Sequence, residues 1–184
     1  VLHRSEALAA TLADDTVVTV AGTHGKSTMT SMITVLLQGA GLDPSFAIGA
    51  NVPALGVNAA HGSSRIFVAE ADESDGSFLN YRPQIAVVTN VEPDHLDYYG
   101  TEAAYHEAFV DFANRIVDGG RLVSCCDDAG ARAVSELAEA RQISVERAGI
   151  VGSSVGTATA GQLEWHGPRL QVTGRAWVDG APDW

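Results

Sequence analysis

The segment that most constrains the fold is a glycine loop between an apolar run and a helical pattern. Residues 16–20 are apolar and rich in β-branched side chains, which predicts a buried strand. Apolar residues then recur with helical spacing from Met29 as far as the glycines at 39 and 41. The loop between them reads Gly22-Thr23-His24-Gly25-Lys26-Ser27-Thr28. A strand, a glycine loop and a helix in this order predict an α/β sheet with a ligand site at the loop.

The rest of the chain up to residue 154 continues the alternation of strands and helices. Apolar runs and apolar stripes predict strands at residues 46–48, 65–69, 85–89 and 121–124, and helices at residues 101–117 and 128–140. This alternation predicts an α/β fold, a mostly parallel sheet flanked by helices and entered through right-handed crossovers.

Residues 155–184 have a different pattern. Three short strand candidates at 163–165, 170–172 and 176–178 are separated by turn dipeptides, with no helical segment between them. We therefore expect a small antiparallel β meander that belongs to the same domain as the α/β core of residues 1–154.

The charge of the chain narrows the classes of ligand. Eleven Lys and Arg residues face 23 Asp and Glu residues, giving a formal net charge of −12. We expect neither a nucleic acid nor a membrane as partner, because both need a basic face. A nucleotide site on this chain needs local compensation by backbone N–H groups, cationic side chains or a metal ion. Lys26 is the only lysine in the sequence, which favours a specific role for its ammonium group.

The glycine loop has the composition of a phosphate site. Backbone N–H groups at a helix N-terminus and the partial positive charge there attract anions. Lys26 is expected to reach the β- and γ-phosphates of a nucleotide, and the Ser27 hydroxyl to bind Mg²⁺. The common P-loop pattern would have glycine where this chain has Val20, so the loop departs from that form. The alternative is a glycine-rich turn without a ligand.

An acidic segment at residues 70–77 follows the predicted strand 65–69. Ligands of open α/β sheets bind beyond the carboxyl ends of strands, and hard oxygen ligands suit Mg²⁺. We take Glu70 as the first residue beyond the strand and as the candidate metal ligand. The other three acidic residues of the segment are expected to form turns or to be solvated charges, and they are Asp72, Glu73 and Asp75.

A third polar segment, residues 90–97, follows the predicted strand 85–89 and therefore lies on the same edge of the sheet. It places His95 among acidic residues, where the imidazole could be a metal ligand, a base or a capping group. Its position beside the other two segments favours a functional role.

The sequence also predicts where the protein resides. The two cysteines are adjacent, which is poor geometry for an ordinary disulfide, and no signal peptide or apolar run of membrane-spanning length is evident. We expect a cytoplasmic protein. Because the chain begins at Val1 rather than Met and ends just after a turn-like segment, we also expect it to be a fragment of a longer chain.

Residues 22–28, 70–75 and 89–95 together resemble the central ATP-binding domain of the Mur ligases, which is P-loop NTPase-like. The resemblance covers most of residues 14–130, and the spacing of the three segments agrees with that family. Within the family the segments look most like the branch that adds L-alanine to UDP-N-acetylmuramate. The alternative is the branch that recycles murein tripeptide, which usually has Tyr where Ser74 stands.

This resemblance implies an ADP-forming ligase of cytoplasmic peptidoglycan precursor synthesis, with ATP and Mg²⁺ as cofactors. ATP would phosphorylate the lactyl carboxylate of UDP-N-acetylmuramate, and the amine of L-alanine would attack the acyl phosphate. The implied catalytic residues are Lys26, Glu70 and His95. The implied nucleotide-binding residues are Gly22, Thr23, His24, Gly25, Lys26, Ser27 and Thr28. Ser27 and Glu70 would coordinate one Mg²⁺ and His95 a second, and the implied substrate-facing residues are Asn90, Ser74 and Asp75.

The chain departs from the family pattern in two ways. Some members support the second metal with a carbamylated lysine that follows the position of His95, but here no lysine follows Lys26. Members also have an N-terminal UDP-binding domain and a C-terminal domain, and neither fits into 184 residues. We therefore expect weak nucleotide binding and no turnover by this chain alone. The alternatives are a stand-alone P-loop nucleotide-binding or NTPase module, in which Glu70 and His95 are only structural, and a scaffold whose loop binds nothing.

Overall fold

The computed structural model describes residues 4–12 and 14–149 and two further strands near the C-terminus. In chain order the elements are α1 (Arg4–Thr11), β1 (Thr16–Ala21), α2 (Lys26–Gly39), β2 (Ser45–Ala47), β3 (Ala59–Ala60), β4 (Ile66–Glu70), a 3-10 helix (Ser77–Asn80), β5 (Ile85–Val88), α3 (Leu96–Tyr99), α4 (Glu102–Ala113), β6 (Arg121–Cys125), α5 (Ala129–Ala140), β7 (Ser144–Ala148), β8 (Gln162–His166) and β9 (Arg169–Thr173).

Seven strands form one sheet in the order β3-β2-β4-β1-β5-β6-β7. All neighbours are parallel except β3, which is antiparallel to β2. β1 lies between β4 and β5, with Val20 opposite Glu70 and Ala21 opposite Val88. The carboxyl ends of these three strands therefore meet at one edge of the sheet. In open α/β sheets, ligands bind in the crevice at this edge. The expected mostly parallel α/β fold is confirmed.

The two faces of the sheet are covered by different helices. Alternate residues of β1 point to opposite faces, so Val17 joins one apolar cluster and Val18 the other. The Val17 side contains buried aromatic rings of α4 and the 3-10 helix, with Phe78 stacked on Phe112 at 5.1 Å between centroids. The Val18 side is closed by α2, through residues such as Ile33. These two layers hold the carboxyl edge of the sheet in place.

Most predicted elements occur within one or two residues of their expected positions. Glu70 is an exception in kind, since it is the last residue of β4 rather than the first beyond it. The predicted helix 101–117 is shorter, with Asn114 at its C-cap. The sequence-based expectations missed β7, an edge strand whose Glu146 and Arg147 interrupt the apolar run, a common feature of edges that avoid further pairing. The short elements α1, β3 and α3 were also missed.

In the described part of the C-terminal region, the strands pair in the antiparallel manner that the sequence predicts. β8 and β9 form an antiparallel two-stranded sheet, with Trp165 opposite Leu170. The third expected strand, residues 176–178, lies outside the described residues. Across the described part of the chain, the helices are too short or too polar for a membrane-spanning segment.

Candidate functional site

Two glycines give the loop after β1 its shape. Gly22 has φ +139°, and a Cβ there would lie 2.0 Å from Thr89 Oγ1. Gly25, with φ +82°, is the N-cap of α2 in the left-handed conformation that glycine adopts without strain. The loop can therefore pass close to the end of β5 and turn into α2 at once, which puts Lys26 and Ser27 in the first turn of the helix.

The loop is fixed to the segment that follows β5. The His24 N–H donates to Asn90 Oδ1 at 2.8 Å, and Asn90 Nδ2 donates to the His24 carbonyl at 3.2 Å. Thr23 Oγ1 donates to the Glu92 carbonyl and accepts from the Glu92 N–H, both at 3.0 Å. These reciprocal bonds hold the loop in one conformation. Asn90 acts here as a loop anchor, and the expectation that it faces a substrate stays a prediction.

A pocket of about 270 Å³ lies over the loop. It is lined by Thr23, His24, Gly25, Lys26, Ser27, Thr28 and Glu70. All but Gly22 of the predicted nucleotide-binding residues therefore surround one cavity, together with the predicted metal ligand of β4.

Two of the predicted metal ligands, Ser27 and Glu70, lie side by side in this pocket. The Ser27 hydroxyl donates to Glu70 Oε1 at 3.1 Å, and the N–H of Gly49 donates to Glu70 Oε2 at 2.7 Å. Mg²⁺ typically takes one or two protein oxygens and completes its shell with water and phosphate. This pair fits such an ion. Among the residues that the structure describes, no group of three or more His, Cys, Asp or Glu is placed to hold a metal ion.

The ammonium of Lys26 is paired with Glu73. Nζ lies 2.8 Å from both carboxylate oxygens of Glu73, donating a hydrogen bond to Oε1, and it donates another to the Gly22 carbonyl at 2.8 Å. The Glu73 side chain is fully buried, and this burial raises the pKa of its carboxyl group, against the opposing effect of Lys26. The expectation for Glu73 is met in one part and wrong in the other. Its carbonyl accepts from the Gly76 N–H and so begins a turn, but its carboxylate is the buried counter-charge of the lysine rather than a solvated charge.

His95 lies on the Glu73 side of the site. Its Nε2 is 4.0 Å from Glu73 Oε1 and 3.8 Å from Asp94 Oδ2, and its backbone is left-handed at φ +50°. It precedes α3, but its side chain forms no capping hydrogen bond with that helix. The capping alternative is thus not what the structure has, and the role of His95 as a ligand of a second metal stays a prediction.

The remaining acidic residues form the turn that carries Glu73, as the sequence predicts. Asp72 Oδ1 accepts from the Ser74 N–H at 3.1 Å, and Asp75 Oδ1 accepts from the Ser77 N–H at 2.9 Å. Ser74 is half-buried and Asp75 is exposed, and contact of either with a substrate stays a prediction.

Two tyrosines that the sequence did not assign to the site hold it in place through their hydroxyl groups. The fully buried Tyr105 of α4 hydrogen-bonds Thr23 Oγ1 at 2.9 Å, and burial raises the pKa of its hydroxyl to about 12. The Tyr99 hydroxyl donates to the Glu73 carbonyl, and burial raises its pKa as well. Tyr105 belongs to the apolar stripe of the predicted helix 101–117, but no sequence signal showed that its hydroxyl reaches the glycine loop.

Known proteins resemble this chain in sequence over most of its length. The model of the Mur ligase middle domain matches residues 20–173. A UDP-N-acetylmuramate--L-alanine ligase from Arthrobacter sp. is 74% identical over 141 residues, which are 77% of this chain and 30% of that protein. A ligase with the same name from Mycolicibacterium vanbaalenii is 53% identical over 90% of this chain and 34% of its own length. The chain thus spans about a third of the length of these relatives.

Solved structures resemble the chain in fold. The UDP-N-acetylmuramate:L-alanyl-gamma-D-glutamyl-meso-diaminopimelate ligase of Neisseria meningitides has a TM-score of 0.70 and 31% identity, covering 78% of this chain and 49% of that one. The UDP-N-acetylmuramate-alanine ligase of Thermotoga maritima has a TM-score of 0.65 and 24% identity, covering 79% of this chain and 31% of the other.

Proposed function

Because the chain belongs to the Mur ligase family, we propose that it is the ATP-binding domain of a ligase that joins L-alanine to UDP-N-acetylmuramate. The observation that carries the proposal is the pocket beside the glycine loop, at the N-terminus of α2, which Lys26, Ser27 and Glu70 line together. This combination of N–H groups, one ammonium and a hydroxyl–carboxylate pair suits a nucleotide phosphate and its cation.

The chemistry of such a ligase sets a charge problem that these residues are suited to address. A carboxylate must attack an anionic triphosphate, so both reactants need neutralisation and alignment. Lys26 would contact the phosphates, and the loop N–H groups would hold them at the start of α2. Mg²⁺, held by Ser27 and Glu70, would supply further charge neutralisation when bound. His95, which lies 4.0 Å from Glu73 Oε1, would coordinate a second Mg²⁺, as the resemblance to the family implies.

The substrates are proposed from the relatives. Relatives with 51% to 76% identity are named UDP-N-acetylmuramate--L-alanine ligase, whereas the solved UDP-N-acetylmuramate:L-alanyl-gamma-D-glutamyl-meso-diaminopimelate ligase is 31% identical. This difference favours L-alanine over a murein tripeptide as the amine substrate.

Two further proposals follow from the same relationship. The family model continues to residue 173 and so includes β8 and β9, which supports a single domain made of the α/β core and the antiparallel sheet. A role in precursor synthesis also implies that the protein acts in the cytoplasm.

The proposal is tested by calorimetric titration of Mg·ATP into the 184-residue chain. We expect binding that is lost without Mg²⁺ and weakened at least about tenfold by Lys26→Ala, since one charge-assisted phosphate contact is removed. Arg115→Ala removes one exposed cation after α4 and is the matched charge control.

Lys26→Ala also leaves Glu73 without its partner, so a second variant is needed. Ser27→Ala keeps the Lys26–Glu73 pair and removes only the proposed cation ligand. We expect its Mg²⁺ dependence to weaken, with the far-UV circular dichroism spectrum unchanged. Equal Mg·ATP affinity in the wild type, Lys26→Ala and Ser27→Ala chains would refute a nucleotide site at this loop.

A further inference from the structure

We propose that Glu73 is a positioning residue that fixes the ammonium of Lys26 for phosphate binding before a nucleotide arrives. The assignment deepens the proposed function and rests on it, because it concerns the same phosphate-binding lysine. It is made by the juxtaposition of one fully buried carboxylate with the single lysine of the chain.

The hydrogen bonds of the ammonium leave one donor for a ligand. A lysine ammonium has three N–H donors. One of them is used by the Gly22 carbonyl and another by Glu73 Oε1, each at 2.8 Å. Glu73 Oε2 also lies 2.8 Å from Nζ, but it accepts no hydrogen bond from the described residues. The third N–H is therefore available to a phosphate oxygen in the pocket that Lys26 lines. Glu73 therefore binds the ammonium on one side and leaves a donor on the other side for an anion.

Glu73 is itself held in place by the chain around it. Its carbonyl accepts hydrogen bonds from the Tyr99 hydroxyl and from the Gly76 N–H, the latter at 3.1 Å. Its Oε1 also lies 4.0 Å from His95 Nε2. A carboxylate fixed in this way can fix a lysine in turn, whereas a solvated one could not.

The physical benefit is preorganisation. Lysine side chains lose much rotamer freedom when they are ordered. If the ligand itself has to order the lysine, this entropy cost weakens the binding of the ligand. Here the buried pair imposes it in the nucleotide-free chain. The same pair also keeps the ammonium beside the glycine loop. This matters because the chain has a net charge of −12, and its other carboxylates could otherwise compete for the ammonium.

The first test uses the fact that Lys26 is the only lysine. Labelling with ε-¹⁵N-lysine gives a single side-chain ammonium signal in an NMR spectrum, which reports on Lys26 alone. We expect hydrogen exchange of this ammonium to be at least about tenfold slower than in free lysine, because charge-assisted hydrogen bonds hold it. Exchange as fast as in free lysine, in a folded wild-type chain, would overturn the assignment whatever the variants do.

The variants separate positioning from folding. Glu73→Gln keeps the shape of the side chain and removes its charge, and we expect it to abolish the slow exchange. Glu136→Gln makes the same charge change at an exposed site on α5 and should leave the signal as in the wild type. Glu73→Asp keeps the charge on a shorter side chain and should restore part of the protection. Unchanged exchange in folded Glu73→Gln contradicts the proposal.

Titration of Mg·ATP into the same labelled samples distinguishes the two proposals. We expect Glu73→Gln to weaken Mg·ATP binding about three- to tenfold, with Glu136→Gln unchanged, because the lysine is no longer preorganised. Equal or tighter binding by Glu73→Gln would show that Glu73 only competes with phosphate, and would overturn the assignment. A protected Lys26 signal that depends on Glu73 but does not respond to Mg·ATP would instead support the positioning of Lys26 and refute the proposed function.

Discussion

At the scale of single residues, the site depends on charges and hydroxyls that are removed from water. A buried ion pair contributes little net stability when it is complete, but removing one partner typically costs about 3 to 5 kcal/mol because a buried charge is left alone. Lys26 and Glu73 are therefore interdependent. Glu70 differs from Glu73, since its carboxylate is only half-buried and is turned toward the pocket.

Tyr105 leads to a prediction about alkaline pH. Burial raises the pKa of its hydroxyl to about 12 in the folded chain, against about 10 in the unfolded chain. The folded state therefore keeps the proton longer, and the stability contributed by Tyr105 is complete below pH 10 and is lost as the pH rises toward 12. Tyr105→Phe should lower the free energy of unfolding by about 1 kcal/mol at pH 7, through the lost bond to Thr23, and should show a shallower decline above pH 10.

Urea unfolding at pH 8 and pH 11 measures this difference. Tyr98→Phe, at a position with 58% exposure, is the control and should follow the wild type. A Tyr105→Phe chain that loses as much stability between these two pH values as the wild type would contradict the assignment of Tyr105 to the buried, proton-retaining state.

At the scale of elements, the site is built by loops that must approach one another closely. The β1–α2 loop contacts the segment after β5, and the turn after β4 contacts α3. These contacts are made by backbone groups as much as by side chains. Changes in the loops and in the helix caps should therefore disturb the site without removing a residue that touches a ligand.

Gly22 provides a test of the close approach between loops. Gly22→Ala places a methyl group 2.0 Å from Thr89 Oγ1 at a backbone angle of φ +139°, so we expect destabilisation by more than about 2 kcal/mol. Gly39→Ala, near the end of α2, meets no atom within 4 Å and should be neutral or stabilising by up to about 1 kcal/mol. The midpoints of urea unfolding compare the two, and equal midpoints would argue against the contact.

Asp128 provides a test of how a helix cap supports the site. Its Oδ1 accepts from the Ala131 N–H at 2.7 Å, which caps α5, and from the Val91 N–H at 2.9 Å, which anchors the segment before His95. Asp128→Ala should cost about 2 kcal/mol, through one cap and one further hydrogen bond. Thr101→Ala removes only the cap of α4 and should cost about 1 kcal/mol.

Hydrogen exchange identifies the second function of Asp128. The Val91 amide should exchange faster in Asp128→Ala and as in the wild type in Thr101→Ala. Protection of Val91 in both variants would mean that the segment is held by its other contacts.

At the scale of the whole molecule, parallel topology gathers chemistry from distant parts of the sequence. The chain nevertheless spans only about 30% of the length of its 74% identical relative. We expect that a polypeptide of these 184 residues does not release ADP in response to UDP-N-acetylmuramate and L-alanine together. Closing the site around its substrates and binding the amine need more surface than one sheet edge provides. A coupled ADP assay measures this, and such release would refute the prediction.

The sequence by itself determined the fold class and the three polar segments at one sheet edge. Glycines at 22 and 25, the helical stripe after them and the apolar runs at 65–69 and 85–89 are local patterns, and parallel strands necessarily present their carboxyl ends together. Lys26, Ser27 and Glu70 were recognisable as candidate site residues because each stands at a fixed position along these local elements.

Only the tertiary structure decided which of the neighbouring acids accompanies the lysine. Asp72, Glu73 and Asp75 stand in the same turn and are alike as residue types, yet Glu73 alone among them is fully buried, against Lys26. Likewise, the hydroxyl of Tyr105 reaches Thr23 across 82 positions of the chain. Burial and contact between distant segments depend on how the layers pack, and that information is absent from local composition and spacing.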